Sequence, residues 1–152
     1  MAEKKLSADD IVLPALLRGA RSTYGGAIRD ALAEAGFDDI PKNGIYVIGA
    51  ISRMGAPMAT IIRQLGVSKQ AAGQLVDALV LRGYLERAVD DEDRRRLTVA
   101  LTERGRAAAE VSRKTVERID AALLKKVGRE HIAHARATLM ALIGLGPKGD
   151  DS

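Results

Sequence analysis

Three groups of side chains in this sequence have the types and spacing to do chemistry. The first is Ser68, Lys69, Gln70 and Gln74. Gln70 and Gln74 are one helical turn apart and would share a face. A glutamine amide can meet the edge of adenine through two hydrogen bonds, and a lysine can reach guanine or a phosphate. The second is the run Asp90-Asp91-Glu92-Asp93 followed at once by Arg94-Arg95-Arg96. A solvated turn laced with surface ion pairs, each contributing ~0–1 kcal/mol, would account for it. So would the tip of a hairpin whose arginines enter the narrow, strongly negative minor groove of DNA. The third is Glu130, His131 and His134. Two histidines three residues apart lie on one helical face and could begin a metal site. No second cluster completes that site, so a pair of surface histidines with no bound metal is expected.

Other chemistries find little support. The chain has no cysteine, which removes disulfides, thiolate metal ligands, thiol nucleophiles and thiol redox sensing. Its glycines form neither a phosphate loop nor a dinucleotide fingerprint. No nucleophile, base and orienting group stand together. We therefore expect a protein that binds rather than catalyses and needs no cofactor. The start, "MAEKKLSADD", lacks the apolar core of a secretory signal, and "IVLPALL" is too short to span a bilayer. No membrane association is expected, and the cytoplasm is the default location.

The elements that must position these groups follow from hydrophobic spacing. The chain has 152 residues, 47% of them hydrophobic, and a formal net charge of +4. That suits one domain or one protomer of an oligomer, with a charge compatible with an anionic partner without requiring one. With no Trp and one Phe, the core should be aliphatic and alanine-rich, which favours helices. Apolar residues from Leu13 to Ala35 recur in steps of three and four. The spacing predicts a helix of roughly 34 Å, opened by Asp9, Asp10 and Pro14 and stopped by Gly36. A helix that long often packs on a partner chain. Gly25-Gly26 within it predicts a bend or a close helix crossing. A second helix should begin with Pro41 near its first position and carry Ile45, Ile48 and Ile51. "RMGAP" breaks it. Two helical stripes near the end, Val111 to Leu123 and Ile132 to Ile143, predict two more helices and then a loose tail. Together the terminal stripes exceed what the central module can cover, which argues for dimerisation through the terminal helices.

The segment "MATIIRQLGVSKQAAGQLVDAL" predicts a helix over 58–65, a turn at Gly66-Val67 and a second helix over 68–82 ended by Gly83. Ile61, Ile62 and Leu65 would pack on Val67, Ala72 and Leu75, and Ser68 would cap the second helix. That is a helix-turn-helix. Ser68, Lys69 and Gln70 then occupy the turn that typically reaches base edges. An amphipathic helical hairpin with a solvated Gln/Lys face fits the same spacing. The following "YLERAV" and "RLTVALT" read as two strands joined by the charged tip, a wing, with Thr102 capping the helix after it.

From residue 65 to residue 105 the sequence resembles the core of the MarR family of winged helix-turn-helix transcription regulators. The resemblance rests on "LGVSKQ", L-x-x-R-G-Y-L, R-x-x-D-x-x-D-R-R and V-x-L-T-x-x-G in the correct order. Asp91 departs from the family pattern, where proline is frequent. The resemblance implies a mainly α fold with a small β-wing in one protomer spanning 1–152. Helices over about 9–40 and 103–145 would form a dimerisation lobe, and residues from about 41 to 102 a winged DNA-binding lobe. It implies a homodimer that binds double-stranded DNA at a near-palindromic operator, since its recognition helices would lie about 34 Å apart. Ser68, Lys69, Gln70 and Gln74 map onto the major-groove helix. Arg95 maps onto the wing residue that reaches the minor groove, with Asp93 orienting it and Arg94 beside it. The resemblance further implies a repressor released by a small effector, often a phenolic or other aromatic anion, bound between the lobes. Tyr24, Tyr46 and Arg53 are candidate pocket residues. A winged-helix module that binds protein instead of DNA is the competing reading.

Overall fold

The computed structural model describes residues 7–55, 58–89, 92 and 97–146. After a short 3-10 turn at Ala8–Asp10, the elements in chain order are α1 Leu13–Glu34, α2 Gly44–Met54, α3 Met58–Leu65 and α4 Lys69–Leu81. The hairpin β1 Leu85–Val89 and β2 Leu97–Leu101 follows, then α5 Glu103–Val127 and α6 Arg129–Gly144. The fold is mainly α with one two-stranded antiparallel sheet, in the register Leu85 opposite Leu101 to Val89 opposite Leu97. No helix among the described residues is long and apolar enough to cross a membrane.

The chain forms two compact units, one ending at Val116 and one starting at Glu117. The first holds the winged elements, α1 and the start of α5. Its core is built from Ile28 and Leu32 of α1, Val47 and Ile48 of α2, Ile61 of α3, and Val76 and Leu79 of α4, closed by Tyr84, Leu85 and Ala108. In the second unit, the end of α5 and α6 leave their apolar side chains uncovered: α6 has no buried residue, and Ile143 is 69% exposed.

Local rules explain most boundaries. Pro14 sits in the first turn of α1, where no backbone donor is lost. α1 and α4 end the same way. Gly36 and Gly83 adopt φ of +86° and +79°, the left-handed conformation glycine takes without a Cβ clash. The next N–H then turns back: Phe37 N donates to the Leu32 carbonyl at 2.8 Å, and Tyr84 N to the Leu79 carbonyl at 2.9 Å. These paired helix-ending motifs deliver two aromatic rings to one place. Phe37 and Tyr84 meet edge-on at 6.2 Å between centroids.

Four sequence expectations need correction. Asp9 and Asp10 belong to the separate 3-10 turn, not to the first turn of α1. Pro41 lies ahead of α2, which starts at Gly44 after Asn43 in a left-handed conformation (φ 66°). Gly44 is required there, because a Cβ would stand 2.9 Å from Ile40 Cγ2 and 3.2 Å from Leu79 Cδ2. Among the described residues of the protomer no helix crosses closely at Gly25 or Gly26: a Cβ at either would meet only the Arg29 guanidinium. Finally, the core is not purely aliphatic, since Tyr84 is among its largest fully buried side chains.

Candidate nucleic-acid interface

The helix-turn-helix forms at α3 and α4. Gly66 turns the corner with φ +62°. Ser68 caps α4, its hydroxyl accepting the Ala71 N–H at 3.1 Å. Ile61 of α3 and Ala72 of α4 are each 1% exposed, and Ile62, Leu65, Val67 and Leu75 are half-buried. Ala71, on the other side of α4, is exposed. Ala72, Val76 and Leu79 fix which face of α4 points inward. At about 100° per residue, Gln70 and Gln74 then lie on the opposite side. Ser68, Lys69, Gln70 and Gln74 are all exposed. The fold thus sets the two amides in one exposed row, with the Ser68 cap and the Lys69 ammonium at the start of the helix, Lys69 about 100° round the axis from Gln70.

The hairpin lies directly after that helix. Thr98 Oγ1 donates to the Ala88 carbonyl across it at 3.2 Å. An ion pair joins Arg87 of β1 to Asp77 of α4. The wing-tip residues Asp93, Arg94 and Arg95, with Asp90, Asp91 and Arg96, lie outside the described residues.

A polar brace behind the hairpin was not foreseen from the sequence. The Tyr84 hydroxyl donates to Asp39 Oδ1. Arg104 Nη2 donates to Asp39 Oδ1 at 3.1 Å and to the Tyr84 hydroxyl at 3.0 Å. The Arg104 guanidinium also lies 4.7 Å from the Tyr84 ring centroid and 5.6 Å from that of Phe37, within cation–π range. Arg82 donates to the Asp39 backbone carbonyl. The hydrogen bond from Tyr84, then the Arg104 guanidinium, hold the Asp39 carboxyl below its usual range. Burial, with the bond to Asp39, pushes the Tyr84 phenol up. The brace ties the loop after α1, the end of α4 and the start of α5 into one joint. Its only sequence signal was the two glycines that place Phe37 and Tyr84.

At the same joint, Thr102 N donates to the Tyr84 carbonyl at 3.1 Å, and the Thr102 hydroxyl accepts the Gly105 N–H at 3.0 Å. α5 starts so close to Tyr84 that a Cβ on Gly105 would stand 2.1 Å from the Tyr84 carbonyl oxygen.

A cleft of about 290 Å³ opens between α1, α2 and α3, lined by Arg21, Asn43, Tyr46, Ala50, Arg53, Ile61 and Leu65. Arg21 Nε donates to the Tyr46 hydroxyl at 3.3 Å, and its guanidinium sits 4.9 Å from the Tyr46 ring centroid. Gly49 leaves room for Arg53, whose Nη1 would be 3.2 Å from a Cβ there. Two guanidinium groups and a phenol over an aliphatic floor suit a small anion with an apolar body. Of the three pocket candidates, the fold brings Tyr46 and Arg53 together here. Tyr24 instead packs against the core. Arg21 was missed, although it lies one turn from Tyr24 on α1.

His131 and His134 are both exposed on α6. Among the described residues, no group of three or more His, Asp or Glu side chains is arranged to hold a metal ion.

Residues 39–96 match the family model of the MarR family. No curated protein matches the chain. Among solved structures, the transcriptional regulator PA4135 is similar, with 21% identity and a TM-score of 0.69 over 90% of this chain and 99% of its own. RV1404 from Mycobacterium tuberculosis is 24% identical, with a TM-score of 0.65 over 97% of this chain and all (100%) of that one. A variant of S. aureus MepR, solved bound to an oligodeoxyribonucleotide, is 17% identical, with a TM-score of 0.51 over 88% of this chain and 97% of its own. At these identities the structural likeness establishes the fold.

Proposed function

From the match of residues 39–96 to the MarR family model, we propose that the chain is a sequence-specific, double-stranded-DNA-binding transcription regulator acting as a homodimer. The observation that carries this reading is the exposed row of Gln70 and Gln74 on α4, opposite its buried Ala72, Val76 and Leu79. Amide rows on the second helix of a helix-turn-helix suit adenine edges in the major groove. Ser68 and Lys69 at the start of α4 supply contacts to phosphate or guanine. The family resemblance assigns Arg95 of the wing to the minor groove, with Asp93 orienting it and Arg94 meeting phosphate or groove beside it. The MepR variant solved with an oligodeoxyribonucleotide supports a DNA-binding role for this fold.

Dimerisation is supported by uncovered apolar surface on the terminal helices: Leu13 and Leu16 on α1, Leu139 to Ile143 on α6. A two-fold dimer reads a near-palindromic operator. Repression released by a small aromatic anion is supported by the Arg21–Tyr46–Arg53 cleft beside the helix-turn-helix. An effector acts only by preferring one arrangement of the recognition helices over another.

Selecting duplexes from a random pool, with and without aromatic acids such as benzoate derivatives, tests the whole reading. The expected result is one enriched near-palindrome whose binding weakens steeply with salt and falls when the acid is added. Binding to no duplex would overturn it and favour a protein-interaction module.

A further inference from the structure

We propose that Asp77 and Arg87 form a neutralised pair that keeps the α4 surface fit for DNA, with Arg87 a positioning residue and not a phosphate contact. This rests on the DNA-reading function above. Asp77 is three residues after Gln74 and seven after Gln70. At about 100° per residue the three side chains fall within roughly 60° of arc, opposite the buried Ala72, Val76 and Leu79. A carboxylate thus stands in the same row as the two amides proposed to read bases. Facing phosphates and a major groove rich in acceptors, it would repel the duplex. The pairing with Arg87 answers that charge.

The pair is well placed to do so and poorly placed to hold the fold together. The two side chains are 64% and 49% exposed, and exposed pairs add little to folding. Lys69, on the same helix, is eight residues away, about 12 Å along the axis, too far to serve as the partner. Arg87 comes from β1, where it stands opposite Val99 of β2. The ion pair therefore spans from the recognition helix to the hairpin.

Anisotropy titrations of the selected operator with wild type, Arg87→Ala, Asp77→Asn and the double variant test this. Urea midpoints of all four should agree, as for any exposed pair. Arg87→Ala should weaken binding about tenfold, because a bare carboxylate is left against phosphates. The double variant should recover to within about threefold of wild type, since no charge remains to repel. Asp77→Asn alone should bind at least as tightly as wild type, with a salt slope steeper by about one as Arg87 becomes free to meet a phosphate. A double variant as weak as Arg87→Ala would overturn the inference and make Arg87 a direct contact. Arg87→Ala binding like wild type would overturn it equally. Wild-type protein that binds no duplex at all would remove the DNA-reading function itself, an outcome distinct from either.

Discussion

Replacing Gly105 with alanine tests the joint that connects the recognition helix, the hairpin and α5. The new Cβ would stand 2.1 Å from the Tyr84 carbonyl oxygen and 3.1 Å from Leu101 Cδ2. Non-bonded contacts settle near about 3.5 Å, so α5 or the turn at Tyr84 must retreat by roughly 1 Å or more. The atom in the way is backbone, and Tyr84 is pinned by its buried ring and its bond to Asp39. The retreat stretches the 3.1 Å bond from Thr102 N to the Tyr84 carbonyl and the 3.0 Å cap from Gly105 N to the Thr102 hydroxyl. Overpacking costs about 1–3 kcal/mol, and the two weakened bonds about 1 kcal/mol each. Alanine returns about 1 kcal/mol through its helix propensity. The net loss is therefore roughly 2–4 kcal/mol, a drop in Tm of about 5–15 °C for a chain of this size. Urea denaturation followed by circular dichroism measures it directly. An unchanged or raised stability would refute the close approach of α5 to Tyr84.

Other outcomes follow from single groups. Asp39 is held below its ordinary pKa in the fold, so its contribution is present above the unfolded carboxylate value of about 4 and is lost as pH falls through the folded one. Asp39→Asn should therefore flatten the acid limb of a stability-versus-pH curve, and an unchanged limb would count against the brace. Ser68→Ala removes the cap seen at 3.1 Å and should cost about 1 kcal/mol in urea unfolding. Gln74→Ala should change the sequence returned by a random-operator selection more than it changes nonspecific affinity; an identical site would exclude Gln74 as a base reader. Arg53→Ala should abolish any effect of an aromatic acid on operator binding while leaving binding without the acid intact, as read by titration with and without the acid.

Much of the fold was legible because its signals are local. Apolar steps of three and four residues gave the helices. Gly36, Gly66 and Gly83 marked the turns that need positive φ, and the alternation after Arg96 gave the second strand. Ser68 and Thr102 acted as caps, as their hydroxyls suggested. Pro41 misled because a proline before a helix signals only that one is near. The helix starts at Gly44, after Asn43 in a left-handed conformation, where Leu79, 35 residues away, packs too closely for a Cβ. The candidate site was legible in part for the same reason. The row of Gln70 and Gln74 is a matter of helical phase. Arg21 meeting Tyr46 across 25 residues, in the cleft that Arg53 also lines, is a matter of packing.

By itself, then, the sequence determined the order of helices and strands, the turn of the helix-turn-helix and which residues α4 offers to solvent. These depend on neighbours a few positions apart, whose geometry backbone periodicity dictates. Only the tertiary structure decided what those elements are fastened to. Asp39 reaches Tyr84 and Arg104 over 45 and 65 residues. Asp77 meets Arg87 across a helix end and a strand. Gly105 is needed because of one carbonyl that packing brings beside it. Such pairings depend on how close two elements come to each other, which no spacing along a single element records.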